Sequence, residues 1–134
     1  MRSILLVEDS RFMRIATERT LTRAGYTVIS ISDGEEALRA AAEQVPDLVL
    51  LDMLLPKLGG QKVLQALKSN TATAHIPVIV LSSLPQANEE KLKEEGAIAY
   101  FEKSKLLVGD SSDLLVKAIE RVLRGKGLRP TSSM

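Results

Sequence analysis

The 134-residue chain has no cysteine, no tryptophan, a single histidine, and two each of phenylalanine and tyrosine. Without cysteine, disulfide scaffolds and thiolate metal sites are excluded. With 3% aromatic residues, a base-stacking surface for nucleic acid has little to be built from. Neither sign of charge dominates, since 18 Lys and Arg face 17 Asp and Glu for a net charge of +1. That balance gives no electrostatic case for nucleic acid or an anionic membrane as the main partner. Long hydrophobic runs are missing as well. Ile4 to Val7 is ended by Glu8-Asp9, too short a run for the apolar core of an export signal. The longest stretch, Leu48 to Leu55, is broken by Asp52 and stopped by Pro56, far short of the ~20 residues of a membrane span. A cytoplasmic protein is expected. What remains is a chain 45% hydrophobic, long enough to bury roughly two-thirds of its unfolded surface around one core.

Four strand-length apolar runs stand out, Ile4 to Val7, Val28 to Ile31, Leu48 to Leu51 and Ile76 to Leu81, with a weaker fifth at Ala97 to Phe101. They are continuous rather than alternating, the pattern of strands covered on both faces. Helical segments separate them. Met13, Ala16, Leu21 and Ala24 recur at helical spacing before Gly25. A second helix is expected from Gly34 to Gln44, closed by Pro46, and a third from Gly60 to Ser69 with Val63, Leu64 and Leu67 on one stripe. Gln86 to Glu95 is nearly all charged, anchored by Leu92 and laced by Glu89/Lys93 and Lys91/Glu95 pairs. The last helix presents Leu114, Leu115, Ala118, Ile119, Val122 and Leu123 behind a capping cluster, Asp110 to Asp113. The order βαβαβαβαβα makes a doubly wound, five-stranded parallel α/β sheet the expected fold. Residues 1–124 are read as one domain and 125–134, without periodicity, as a flexible tail or linker.

In open α/β sheets ligands sit outside the carboxyl ends of the strands. There the first run gives way to Glu8-Asp9, the third to Asp52, the fourth to Ser82-Ser83, and the fifth leads to Lys103. A lone acid at a strand end is ordinarily a solvated residue or a helix cap, and Asp9-Ser10 is placed to cap the first helix. Acids ending two core strands, with a hydroxyl and a lysine after the others, are not readily explained as independent caps. If the first and third strands are neighbours, three carboxylates converge and need a cation. Mg²⁺ suits an all-oxygen set that leaves room for a phosphate. Asp52 would then be a nucleophile for aspartyl-phosphate chemistry, with Lys103 and the metal neutralising the transferred group. His75 precedes the fourth strand, at the opposite edge of the sheet, and reads as a loop residue. Arg121, Arg124, Lys126 and Arg129 read as a solvated helix end.

Over about residues 2 to 124 the chain resembles the receiver domains of two-component response regulators. The resemblance is carried by Ile4-Leu-Leu-Val-Glu-Asp-Ser10, Asp33-Gly-Glu-Glu-Ala-Leu38, Asp52-Met-Leu-Leu-Pro-Lys-Leu-Gly-Gly60, Ile76-Pro-Val-Ile-Val-Leu-Ser-Ser83 and Gly96-Ala-Ile-Ala-Tyr-Phe-Glu-Lys103. It implies a flavodoxin-like sheet of order 2-1-3-4-5. It implies Mg²⁺ held by Glu8, Asp9, Asp52 and the carbonyl of Leu54, with Asp52 as phosphoacceptor. It makes Ser82 the hydroxyl that follows the phosphoryl group, Tyr100 the switch residue and Lys103 the phosphate-binding lysine. The implied partners are a sensor histidine kinase or histidine phosphotransfer protein, and an effector met by the fourth helix, fifth strand and fifth helix. Such a protein acts by contact, as a single-domain regulator or as a receiver cut from a larger chain.

Two departures stand out. The family usually has Thr at position 82, and usually has a cis proline after the lysine, where this chain has Ser104. A trans Lys103–Ser104 bond is expected, because cis before a non-proline costs ~2.5–4 kcal/mol. Leu54 and Leu84 occupy positions that flank the path of hydrolytic water in the resembling domains, so slow self-dephosphorylation is expected. Two other functions compete. A Mg²⁺-dependent phosphohydrolase would typically need Asp-x-Asp and a cap, yet Met53 and Leu54 follow Asp52 and no segment is left for a cap. An interaction module independent of phosphorylation has the Lys103-Ser104 departure as its support.

Overall fold

The computed structural model describes residues 2–53, 55, 58–82, 89–103 and 111–132, with positions 89, 111, 112 and 126–132 as backbone. Five strands, β1 (Ser3–Val7), β2 (Thr27–Ile31), β3 (Leu48–Asp52), β4 (Val78–Ser82) and β5 (Ala99–Glu102), form one parallel sheet of order β2-β1-β3-β4-β5. Between and after them run α1 (Arg11–Arg23), α2 (Gly34–Gln44), α3 (Gly60–Ser69), α4 (Glu89–Glu94) and α5 (Ser111–Ser132). Both the doubly wound topology and the strand order match expectation.

Alternation along the strands divides the interior into two cores. Leu5, Val7, Val49, Leu51, Val78 and Val80 pack with Ala37 and Ala41 of α2, with Val63, Leu64 and Leu67 of α3, and with Leu92 of α4. On the other face Ile4, Leu6, Leu48, Leu50, Ile79 and Leu81 pack with Leu21 of α1 and with Leu115, Ile119 and Leu123 of α5. β1, β3 and β4 are buried on both faces apart from half-exposed Ser3, as their unbroken apolar runs require. β5 at one edge is half-exposed throughout, and β2 at the other apart from exposed Thr27.

Three details depart from the sequence reading. Leu114 is 55% exposed, so the apolar face of α5 rests on Leu115, Ile119 and Leu123. Glu95 does not pair with Lys91. It accepts hydrogen bonds from Gln61 Nε2 (2.9 Å) and Gln65 Nε2 (2.8 Å), because α3 runs beside it. The backbone of α5 stays helical to Ser132, past the end expected at Arg124 despite Gly125, Gly127 and Pro130. Elongating a helix whose earlier turns are anchored adds a hydrogen bond for each residue fixed.

Gly60 seats α3 on the end of β3, its N–H donating to Met53 O at 3.1 Å. A Cβ there would collide with the carbonyl oxygen of Asp52 and stand 2.5 Å from Cα of Met53. Backbone cannot swing aside as a side chain can, so Gly60→Ala should destabilise the fold by about 1–3 kcal/mol. Urea unfolding checks this, and an unchanged midpoint would show that the β3–α3 junction is slack.

Candidate functional site

Register brings the strand ends together. Val7 is paired with both Ile31 and Leu51, and Glu8 N–H continues the ladder to Ile31 O at 3.0 Å, which sets Glu8 beside Asp52. Asp52 is paired with Leu81, and Ser82 with Glu102, so Lys103 follows immediately beyond. Carboxylate oxygens of Glu8, Asp9 and Asp52 lie within 4.8 Å of one another. Glu8 and Asp52 are buried, and Asp9 is exposed at the mouth.

Lys103 answers these acids from the far side of the sheet order. Its ammonium stands 2.9 Å from Glu8 Oε1, donates to Glu8 Oε2 at 3.1 Å and to Asp52 Oδ2 at 3.2 Å. Burial opposes the charge on Lys103. The hydrogen bond to Glu8 and the negative field of Asp52 together outweigh it, so its pKa lies above the ordinary value. Among the described residues the three carboxylates are opposed by the Lys103 ammonium and by the Arg14 guanidinium on the carbonyls of Glu8 and Asp9, which leaves the cluster net negative. Glu8 Oε1, although close to the ammonium, has no hydrogen bond among the described residues. An all-oxygen cluster with net negative charge and a buried lone pair to spare fits a hard divalent cation.

The turn after β1 holds Glu8 rigidly, and sequence reasoning had not assigned that task. Ser10, not Asp9, caps α1, accepting from Met13 N–H at 3.4 Å, while its own N–H donates to Glu8 Oε2 at 3.0 Å. Arg14 Nη1 donates to Glu8 O at 3.0 Å and to Asp9 O at 3.4 Å. The polar Arg14 amid the residues of α1 carried no motif that would single it out.

Ser82 is fully buried at the end of β4. It continues the row of Val80, which faces the α2–α4 core, and half-buried Tyr100 packs on that same core. Glu8 and Asp52 instead continue the rows of Leu6 and Leu50 on the α1/α5 side. Leu54, Leu84 and the Lys103–Ser104 bond lie outside the described residues, as do Ser83 and Pro56. Exposed His75 lies before β4, away from the acids. Among the described residues no helix is long and apolar enough to cross a membrane.

Comparison with known proteins identifies the family and the fold. The family of response regulator receiver domains matches residues 4–108. The gliding motility regulatory protein of Myxococcus xanthus is 41% identical over 121 residues, 89% of this chain, which spans only 15% of that relative's length. The polar-differentiation response regulator DivK of Brucella anthropi is 34% identical over 103 residues, 76% of this chain and 84% of the relative. Among solved structures, the chemotaxis response regulator CheY4 of Vibrio cholerae aligns with a TM-score of 0.80 at 27% identity, covering 91% of this chain and 98% of that one. A LuxR-family response regulator from Aurantimonas gives a TM-score of 0.80 at 30% identity, with coverage of 92% and 85%.

Proposed function

We propose a function that proceeds from family: the chain belongs to the response regulator receiver domains of two-component signalling, and Asp52 is its phosphoryl acceptor. The observation that carries this reading is the triad of Glu8, Asp9 and Asp52, two of them buried, with the Lys103 ammonium within 3.2 Å of both buried members.

In the proposed reaction a carboxylate oxygen of Asp52 attacks the phosphorus of a phosphohistidine on a sensor kinase or phosphotransfer protein. The new P–O bond forms as the P–N bond breaks, and the imidazole leaves. Glu8, Asp9, Asp52 and the carbonyl of Leu54 would hold Mg²⁺, which when bound neutralises charge developing on the phosphoryl oxygens. Lys103 supplies a fixed positive charge from the other side, already oriented by Glu8. Ser10 and Arg14 keep Glu8 in place, so little reorganisation is left for the reacting state. Ser82 then donates its hydroxyl to the phosphoryl group, and Tyr100, on the same side of the sheet, reports that change to α4, β5 and α5. Within this reading residues 1–124 form the receiver unit, working in the cytoplasm as a signalling domain rather than turning over an external substrate.

The direct test is intact-mass measurement after incubation with a small phosphodonor and Mg²⁺. One added phosphoryl group is expected, and an unmodified mass would remove the reading. The cation has its own test. Because it binds the folded triad and not the unfolded chain, Mg²⁺ at a hundredfold excess over Kd should raise the unfolding free energy by about 2.7 kcal/mol, and the urea midpoint with it. Glu8→Gln should lose most of that gain. A midpoint indifferent to Mg²⁺ would mean that Lys103 alone balances the acids.

A further inference from the structure

Four basic side chains from four parts of the fold line one pocket at the end of the sheet opposite the acids. They are Lys68 of α3, His75 of the α3–β4 connection, Lys93 of α4 and Arg121 of α5, around a space of about 700 Å³. No Asp or Glu is among the described residues of the lining, although the chain as a whole is nearly neutral. The rest of the wall includes Pro77, Ile98 and Val122.

Lys68 is the most enclosed of these four side chains. Its stem passes close under Gly96, where φ is +116° and a Cβ would stand 2.6 Å from Lys68 Cγ. Its ammonium donates to Ile76 O at 2.7 Å and to Ala74 O at 3.1 Å. An ammonium has three protons to give, and these two bonds leave one unassigned. Burial also draws its pKa below the ordinary value, the direction a bound anion would reverse.

We propose that this pocket binds an organic phosphate of nucleotide size, its phosphates meeting Lys68 and Arg121 and its uncharged part lying on Pro77, Ile98 and Val122. The volume falls within the range of small-ligand sites. A guanidinium fork matches phosphate oxygens in pairs, and several cations in one pocket suit an anion carrying more than one charge. The apolar wall is what an inorganic ion would leave unused. The site is separate from Asp52 and stands or falls independently of the phosphorylation reading.

Calorimetric titration of the full chain decides it, with adenosine diphosphate, pyrophosphate and adenosine as ligands. EDTA is present so that no divalent cation draws the nucleotide to the acidic cluster. Saturable binding of one adenosine diphosphate is expected, tighter than pyrophosphate, with none for adenosine. Arg121→Glu should weaken it about tenfold or more, the ordinary worth of a charge-assisted hydrogen bond. Lys62→Glu, the same charge reversal at an exposed position outside the lining, should leave it unchanged. Arg121 is exposed, so its variant should fold, and an unaltered urea midpoint verifies that. Absence of saturable binding at millimolar nucleotide, or binding that survives Arg121→Glu or falls equally in Lys62→Glu, overturns the site. Pyrophosphate binding as tightly as the nucleotide overturns its assignment to an organic ligand.

Discussion

Asp52→Asn should gain no phosphoryl group under conditions in which the wild-type chain gains one. The amide keeps the size and shape of the side chain and can still accept from Lys103, but it has no carboxylate oxygen with which to attack phosphorus. Intact mass after phosphodonor treatment reads the outcome as presence or absence. An undiminished adduct would move the acceptor to Glu8 or Asp9. The same substitution carries a second expectation of opposite flavour. Removing one of three crowded acids lowers the local charge imbalance, so without divalent cation the variant should be more stable than wild type, by on the order of 1 kcal/mol. Loss of function and gain of stability together would mark Asp52 as a residue held in place for chemistry.

Lys103→Met should be the most damaging single change to the folded state at this end of the sheet. Lys103 is 15% exposed and neutralises two acids that are 1% and 0% exposed. Deleting one partner of a buried pair leaves the other charge uncompensated, which typically costs about 3–5 kcal/mol. The methionine stem preserves packing, so the loss reports charge rather than volume. Urea unfolding at neutral pH should show a midpoint drop of that order, partly recovered by saturating Mg²⁺. The pH dependence follows from the raised pKa of Lys103. Its contribution is complete below the ordinary lysine value of 10.5 and is lost as pH rises through the higher folded value, so the gap between the two proteins should close only in strong alkali. An unchanged midpoint at neutral pH would mean that solvent already screens the acids.

Much of this was readable in advance because strand ends and burial leave periodic traces. Runs such as Leu48 to Leu51 and Ile76 to Leu81 announce strands covered on both faces, and an acid closing such a run is conspicuous because it interrupts it. Asp52 is therefore visible in the sequence as a candidate, by type and position. The sheet order came from resemblance, since periodicity does not say which strand neighbours which. What stayed hidden were contacts between segments far apart in the chain. The resemblance gives Lys103 to a phosphoryl group, yet it also pairs with Glu8 across 95 residues. Glu95 looked like one half of a local ion pair with Lys91, and the side-by-side placement of α3 gave it two amides instead. Leu114 fitted the helical stripe, but a stripe one residue too wide for its groove leaves its margin in water. Val45 ends α2 at φ 43° in the left-handed region, where Gly would ordinarily be expected. The Pro46 stop was legible, and the left-handed turn before it was not.

Within the proposed function, the opposite rows that Asp52 and Ser82 continue give the sheet a further role, that of a partition between writing and reading. The acids belong to the row that continues toward α1 and α5, the hydroxyl and Tyr100 to the row that continues toward α2, α3 and α4. A slip of one residue between β3 and β4 would put acceptor and responder in the same compartment and turn their hydrophobic rows inside out. Ladder register, ordinarily thought of as architecture, is on the proposed reading what sets the acceptor and its sensor on separate floors that meet at the strand ends, where one phosphoryl group would span them. Each floor has its own packing, so substitutions among Val63, Leu64 and Leu67 can retune the listening side while those among Leu21, Leu115 and Ile119 retune the acids' side. The two histories can drift apart so long as the wall between them stands.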